Sequence, residues 1–435
     1  MAFVIQNSDA LAVSQLRKDA LEIVQAGYEA IDTRSVLTED VKLEGDTLTI
    51  ANHTYALAPE QKVWVAGAGK CAIAGAAALE EILGERIAGG VIIDVADEVN
   101  CLPFKKIQCF LGTHPKPSAV NVDASKHLVG TLEGLGENDI VIILVSGGGS
   151  TLLCLPEEPV TYETEVQIFN ELTDAAATIQ EMDTLRKHLS LARGGGLAKA
   201  AYPARVIGLI FSDVPGNDVS FISSGPTVQD ETTIKDAQSV IEKYNVSALA
   251  GMPLLETSKD AKYFARVHNE LLVTNIRALD AMARALRARG YTPRIVTDRF
   301  SGEARRVADD VIAALADAEP ATALLYGGES TVTLGEHAGK GGRNQELALA
   351  ALAHIKPNEI IVAFSSDGHD NTDYAGALCD NITKEHAAAR ALSVEEYLRS
   401  HRSYDFFTVT GDALLTGYTG ANVSDLIIGI TARLT

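Results

Sequence analysis

One local pattern recurs along the chain: a short apolar run that ends on a glycine-rich, polar turn. VWVA leads into Gly67-Ala68-Gly69-Lys70, VIILV into Ser146-Gly147-Gly148-Gly149-Ser150-Thr151, and LIF into Ser212-Asp213-Val214-Pro215-Gly216. ALLY leads into Gly327-Gly328-Glu329, and VAFS into Ser366-Asp367-Gly368-His369-Asp370. Short apolar runs bounded by turns and separated by helical segments describe buried parallel strands with helices on both faces, an α/β fold. Ligands of open α/β sheets bind beyond the carboxyl ends of the strands, where these turns fall. Glycine lets successive N–H groups face one concavity, which suits an anion. A single such loop is no more than a tight turn; five with charged or hydroxyl residues point to a ligand.

At 435 residues the chain exceeds one ordinary core, so two domains are expected. Asp9 to Ala30 reads as an amphipathic helix, with Leu11, Leu16, Leu21, Ile23 and Val24 near helical spacing, and the β-like patch TLTIANHTYAL follows. Lys62 to Ala66 reads as a strand and Cys71 to Leu83 as an Ala-rich helix; GGVIIDV, DIVIILV and RVIGLIFS are further strands. A polar stretch from Pro226 to about Lys262 closes this block. A second block begins near Asn269, with ELLVTN, TPRIVTD, TALLYGG and EIIVAFSS as strands and Ala278 to Arg289 as a helix. The expected domains are 1–240 and 265–435, each a mostly parallel sheet flanked by helices.

The net charge of -21 argues against nucleic acid and against an acidic membrane surface, both of which attract basic patches. No apolar stretch reaches transmembrane length, and the N-terminus lacks a secretory pattern. Cys71, Cys101, Cys109, Cys154 and Cys379 form no CxxC pair; their odd number fits reduced thiols and a cytoplasmic protein.

Within the loops, Lys70 follows a glycine turn beside an expected helix start, where a cation opposes the helix dipole unless an anion lies between. Arg343, in Lys340-Gly341-Gly342-Arg343-Asn344-Gln345-Glu346, has the same setting and can bind a phosphate or carboxylate through two N–H groups. Asp213, Glu329, Asp367 and Asp370 could hold Mg²⁺, which takes one or two carboxylates plus phosphate oxygens, though any of them could instead cap a helix. His114 lies in the rigid loop Gly112-Thr113-His114-Pro115-Lys116-Pro117. Arg186, Lys187 and His188 form a basic stretch before Arg193-Gly194-Gly195-Gly196, read as an anion site or a solvated face.

Three classes of function fit these residues. A phosphotransferase would need a less common fold, because Gly339-Lys340 is followed by Gly341 and Leu334 replaces the first glycine of a P-loop. A dehydrogenase is suggested by Gly67-x-Gly69-x-x-Ala72 with Asp94 ending the next strand, although Lys70 sits inside that loop. A non-catalytic sugar-phosphate sensor would need neither the carboxylates nor Lys70 and Arg343.

The segments VAGAGKCA, GTHPKP, VSGGGSTLL, RKHLSLARGGGLA, FSDVPGND, ISSGPTVQD, GGESTVTLG, GGRNQELALA, SSDGHDNTDYAGA and GYTGANVSDL occur in this order. Together they resemble the class II glycerate 2-kinases, the MOFRL-domain family whose members were often labelled hydroxypyruvate reductases. The resemblance implies two α/β domains with an active site in the interdomain cleft. It implies transfer of the γ-phosphoryl of ATP to the 2-hydroxyl of D-glycerate, with a divalent metal such as Mg²⁺. Lys70, Arg343 and Asp213 match its catalytic positions, and Glu329, Asp367 and Asp370 its acidic, metal-binding ones. Gly67, Gly69, Ser146, Gly147, Gly148, Gly149, Ser150, His114, Arg193, Asn344 and Asn422 fall in motifs that would hold substrate and nucleotide. Gly216-Asn217-Asp218, His369 and Asn371, and Gly417-Tyr418-Thr419-Gly420-Ala421-Asn422 depart from the family's usual residues. These departures leave a longer 2-hydroxy sugar acid as an alternative acceptor; an NAD(P)-dependent hydroxypyruvate reductase is the other alternative. The expected partners are small molecules, with a homodimer left open.

Overall fold

The computed structural model describes residues 4–95, 101–214, 216–335 and 338–433. The chain forms two compact units, one from Thr33–Val273 and one from Met1–Asp32 together with Thr274–Thr435.

The Thr33–Val273 unit begins with a small antiparallel sheet of β1 (Val41–Glu44), β2 (Thr47–Ile50) and β3 (His53–Ala56). Its main sheet has six parallel strands: β4 (Val63–Ala68), β5 (Ile87–Val95), β6 (Ile107–Gly112), β7 (Ile140–Ser146), β8 (Arg205–Phe211) and β9 (Val267–Val273). They are ordered β6-β5-β4-β7-β8-β9. The central strands are buried on both faces, as their unbroken apolar runs require; Val141, Ile143 and Val145 pack with Leu128 and Leu197. The order reverses around β4 and β7, so their carboxyl ends flank the crevice where such sheets bind ligands. ELLVTN, expected to open the second block, belongs here in part. Its residues 270–273 end β9, which covers the open side of β8 in parallel register, while Thr274 and Asn275 start a helix of the other unit.

The other unit carries β10 (Thr292–Glu303), β11 (Thr322–Thr331), β12 (Glu359–Ser365), β13 (Gly376–Asp380), β14 (Ala413–Leu414) and β15 (Asp425–Thr431), ordered β10-β11-β15-β12-β13-β14. This sheet is mixed rather than mostly parallel: β10 and β11 run parallel, and every other pairing is antiparallel. The cause is β15, a fully buried strand from the end of the chain that enters antiparallel between β11 and β12.

The helix Gln15–Ile31 belongs with the C-terminal residues rather than with the 1–240 block. The Ser14 hydroxyl caps it by accepting the Arg17 N–H. Arg17, 1% exposed, donates through Nε and Nη2 to the two Asp380 oxygens at 2.7 Å each, and through Nη1 to Asp412 at 2.8 Å. The expectation of five reduced thiols is corrected as well. Cys101 and Cys109 form a disulfide with Cα atoms 5.8 Å apart, while Cys71, Cys154 and Cys379 are buried thiols.

Candidate active site

Two loops meet at the ends of β4 and β7. Gly69 has φ +131°, and a Cβ there would lie 2.2 Å from Ser146 Oγ, so only glycine lets the turns touch. The contact is locked by hydrogen bonds. Lys70 N–H donates to Gly147 O at 2.9 Å, and Cys71 N–H to Ser146 Oγ at 3.1 Å. Ser223 Oγ donates to Ser146 O at 2.6 Å, and the Ser224 and Ser150 hydroxyls are hydrogen-bonded to each other at 3.0 Å.

Gly148, at φ +86°, is where side chains converge on the loop. A Cβ at this position would lie 3.5 Å from Lys70 Cγ and 3.6 Å from His114 Cδ2. A cavity of about 380 Å³ opens beside it, lined by Gly147, Gly148, Ser150, Asp183, Arg186 and Asp213 among others. Pro215 of the same loop lies outside the described residues. Burial, with the charges of Lys70 and Arg186, pushes the His114 imidazole down to about 4. At neutral pH it is therefore an uncharged hydrogen-bonding group in a cationic setting.

Arg186 stacks over the Phe169 ring, 4.6 Å from its centroid. Burial lowers its pKa, and the Arg193 charge adds to this. Its acidic neighbours are already engaged: Glu165 accepts from Arg193 at 2.6 Å, and Asp183 pairs with Lys187 at 3.0 Å and accepts from Ser224 at 2.5 Å. A desolvated guanidinium whose neighbouring acids are taken favours a bound anion.

Several expected ligand residues are structural instead. Gly67 is buried against Leu144, where a Cβ would come within 2.7 Å. Arg193, 1% exposed, is spent on Glu165. Asp94, 1% exposed, accepts the N–H groups of Ile73 at 2.9 Å and Val95 at 2.7 Å, so it anchors the helix Ala72–Leu83 and leaves the dinucleotide pattern without its ribose partner.

In the other unit, Arg343 opens the helix Arg343–Leu352. It donates through Nε and Nη2 to the two Asp425 oxygens and through Nη1 to Glu329. Burial alone would lower its pKa, but the two carboxylates raise it, so it is a permanent cation. Beside it lies a cavity of about 280 Å³ lined by Ser330, Asn371, His401 and Ser403 among others. Asn344 is fully buried and donates its amide to Asp370. Asp370 caps the helix by accepting the N–H groups of Asn344 at 3.0 Å and Gln345 at 2.8 Å. Asp367 accepts from Ser365 Oγ and from His369 N–H, and Asn422 Oδ1 accepts from Ser424 N–H.

The acidic residues expected to hold metal therefore form no preformed triad. Asp370 serves as a cap and Glu329 as a partner of Arg343. Among the described residues, the group of three ligand atoms close enough for one ion is His53, His268 and Glu270. Asp425 escaped sequence reasoning. Its signal was a carboxylate opening an unbroken apolar run, Asp425–Thr431, the sheet's buried strand. Arg186 was seen only as part of a basic stretch.

Comparison with known proteins identifies the family. Residues 19–253 match the family described as "Domain of unknown function (DUF4147)", and residues 322–425 match the MOFRL family. The glycerate 2-kinase of Pyrococcus horikoshii is 34% identical over 95% of this chain and 97% of its own length. The D-glycerate 2-kinase of Thermotoga maritima is 32% identical over 95% of this chain and 98% of its own. The crystal structure of glycerate kinase from Thermotoga maritima aligns with a TM-score of 0.84 at 30% identity, covering 96% of this chain and 99% of that one. The fold and its relatives define an α/β phosphotransferase. The chain belongs to the glycerate kinase family that joins a DUF4147 domain to a MOFRL domain.

Proposed function

We propose that the protein transfers the γ-phosphoryl group of ATP to the 2-hydroxyl of D-glycerate, giving 2-phosphoglycerate. The observation that carries this reading is the approach of Lys70 and His114 to Gly148, beside a cavity lined by Gly148, Arg186 and Asp213. The acceptor needs an anion site for its carboxylate and a base or orienting group for its hydroxyl. Arg186 suits the carboxylate, and Asp213 suits the hydroxyl. Lys70 and the loop N–H groups hold transferring phosphate, and His114 hydrogen-bonds the same anion.

Phosphoryl transfer asks the protein mainly for positioning and charge neutralisation. Lys70 is the cation proposed to serve it at the Gly148 loop. Mg²⁺ fits this donor set without a preformed cage, because it accepts one or two carboxylates plus phosphate oxygens. Asp213, which faces the cavity beside the Gly148 loop, is the carboxylate proposed to hold it while it orients the hydroxyl, and its chemistry is to neutralise phosphate charge. Glu329 and Asp370 are spent elsewhere.

The test is ADP release from ATP over a panel of 2-hydroxy acids, with and without Mg²⁺, and product position read by phosphorus NMR. D-glycerate should be the best acceptor and should require the metal. NADH oxidation by hydroxypyruvate with no use of ATP would overturn the reading.

A further inference from the structure

A second cluster of ligating side chains lies on the Thr33–Val273 unit, outside the loops described above. The tight turn between β2 and β3, with Ala51 at φ 48°, places His53 at the first position of β3. His268 and Glu270 stand two residues apart on β9, so the pleat of the strand puts both on one face. Strand β9 is the edge of the six-stranded sheet, paired with β8, and the His53 and His268 side chains are partly exposed.

The three side chains meet closely. His268 Nε2 lies 3.2 Å from Glu270 Oε2, and His53 Nε2 lies 3.8 Å from the same oxygen. The imidazole centroids are 4.2 Å apart, and one ligand atom from each residue lies within 4.8 Å of the others. Zn–N and Zn–O bonds of about 2.0–2.1 Å in a tetrahedron place neighbouring ligand atoms roughly 3.3 Å apart, close to the two spacings found here. The His53 side chain is 52% exposed, which leaves an approach for an ion and room for a water ligand.

We propose that His53, His268 and Glu270 form a binding site for a Zn²⁺-type divalent transition-metal ion, with water as the fourth ligand. Two imidazoles and one carboxylate suit Zn²⁺ and its neighbours in the first transition row; Mg²⁺ and Ca²⁺ prefer all-oxygen shells. The chain's net charge of -21 raises the local concentration of any cation. A bound ion would join the small sheet to β9, the edge strand of the large one. The site is independent of the kinase reading.

The experiment uses tag-free full-length protein dialysed against chelator, then titrated with Zn²⁺ by calorimetry and with Co²⁺ by visible absorption, without nucleotide. Wild type should take up one equivalent more than the His53→Ala/His268→Ala variant and should give the intense absorption of tetrahedral Co²⁺. Glu270→Gln, which keeps the shape of the side chain, should weaken Zn²⁺ binding by about ten-fold or more. Kinase turnover with Mg²⁺ should be the same in all three proteins. Equal Zn²⁺ stoichiometry in wild type and the double variant, or a weak octahedral Co²⁺ spectrum in wild type, would overturn the site.

Discussion

Asp425 holds the Arg343 guanidinium through both carboxylate oxygens, taking Nε at 2.6 Å and Nη2 at 3.1 Å. The carboxylate is fully buried at the start of β15, while the guanidinium reaches the edge of a cavity. The buried carboxylate therefore aims the partly exposed guanidinium. Asp425→Asn keeps the shape but loses one charge-assisted bond, so kcat should fall by about 10²-fold as Arg343 loses its orientation. The melting temperature should move much less than in Asp425→Ala, which strands a partly buried cation at a cost of about 3 kcal/mol. Steady-state kinetics and thermal melts of the two variants together check this.

If Lys70 and Arg343 neutralise one transferring phosphoryl group, their losses will not multiply. Lys70→Met and Arg343→Met should each lower kcat by about two to four orders of magnitude. The double variant should fall well short of the product of the two losses. Fully multiplicative losses would place the two cations at independent steps.

Arg186 is assigned to the acceptor's carboxylate. Arg186→Gln should raise KM for D-glycerate by about 10²-fold, the worth of a charge-assisted bidentate contact, and leave KM for ATP nearly unchanged. Competition by simple carboxylic acids should weaken in parallel. A rise in KM for ATP instead would reassign the residue to the nucleotide.

His114 makes stability depend on pH. The unfolded imidazole takes its proton near 6.5, whereas the folded one resists until about 4. The stabilisation is therefore fully present above 6.5 and is lost as pH falls through the window to about 4. The full gap bounds the effect at about 3 kcal/mol, and partial exposure to solvent reduces it to about 1–2 kcal/mol. Denaturant melts across this window should show a shallower slope for His114→Gln than for wild type. Inorganic phosphate should stabilise the wild type more than His114→Gln, since His114 is assigned to the same anion; equal stabilisation of the two would remove it from the anion site.

The parallel sheet and its glycine loops were legible because a strand buried on both faces leaves an unbroken apolar run, and its turn leaves glycines. The turns that hold Gly148, Ser146 and Lys70 were placed at strand ends in this way. The carboxylates were not separable by type. Asp370 as a helix cap and Asp213 on a cavity wall both appear in sequence as an acid after a strand, and only the N–H groups of Asn344 and Gln345 tell them apart. Strand direction was hidden for a related reason: nothing within Asp425–Thr431 records that its partners run the other way. The place of Arg17 was illegible too, since both of its carboxylate partners lie near the far end of the chain.

That pairing sets a schedule for the newborn protein. The Arg17 side chain emerges from the ribosome 363 residues before Asp380. At roughly 5–20 residues per second the wait is about 20 to 70 s. Thr33–Val273 is continuous in sequence and holds both of its sheets, so it has every strand it needs well before then. The helix Gln15–Ile31 does not. Until Asp380 and Asp412 emerge, its arginine stays without the carboxylates that hold it, a stretch of chain made long before it can be completed.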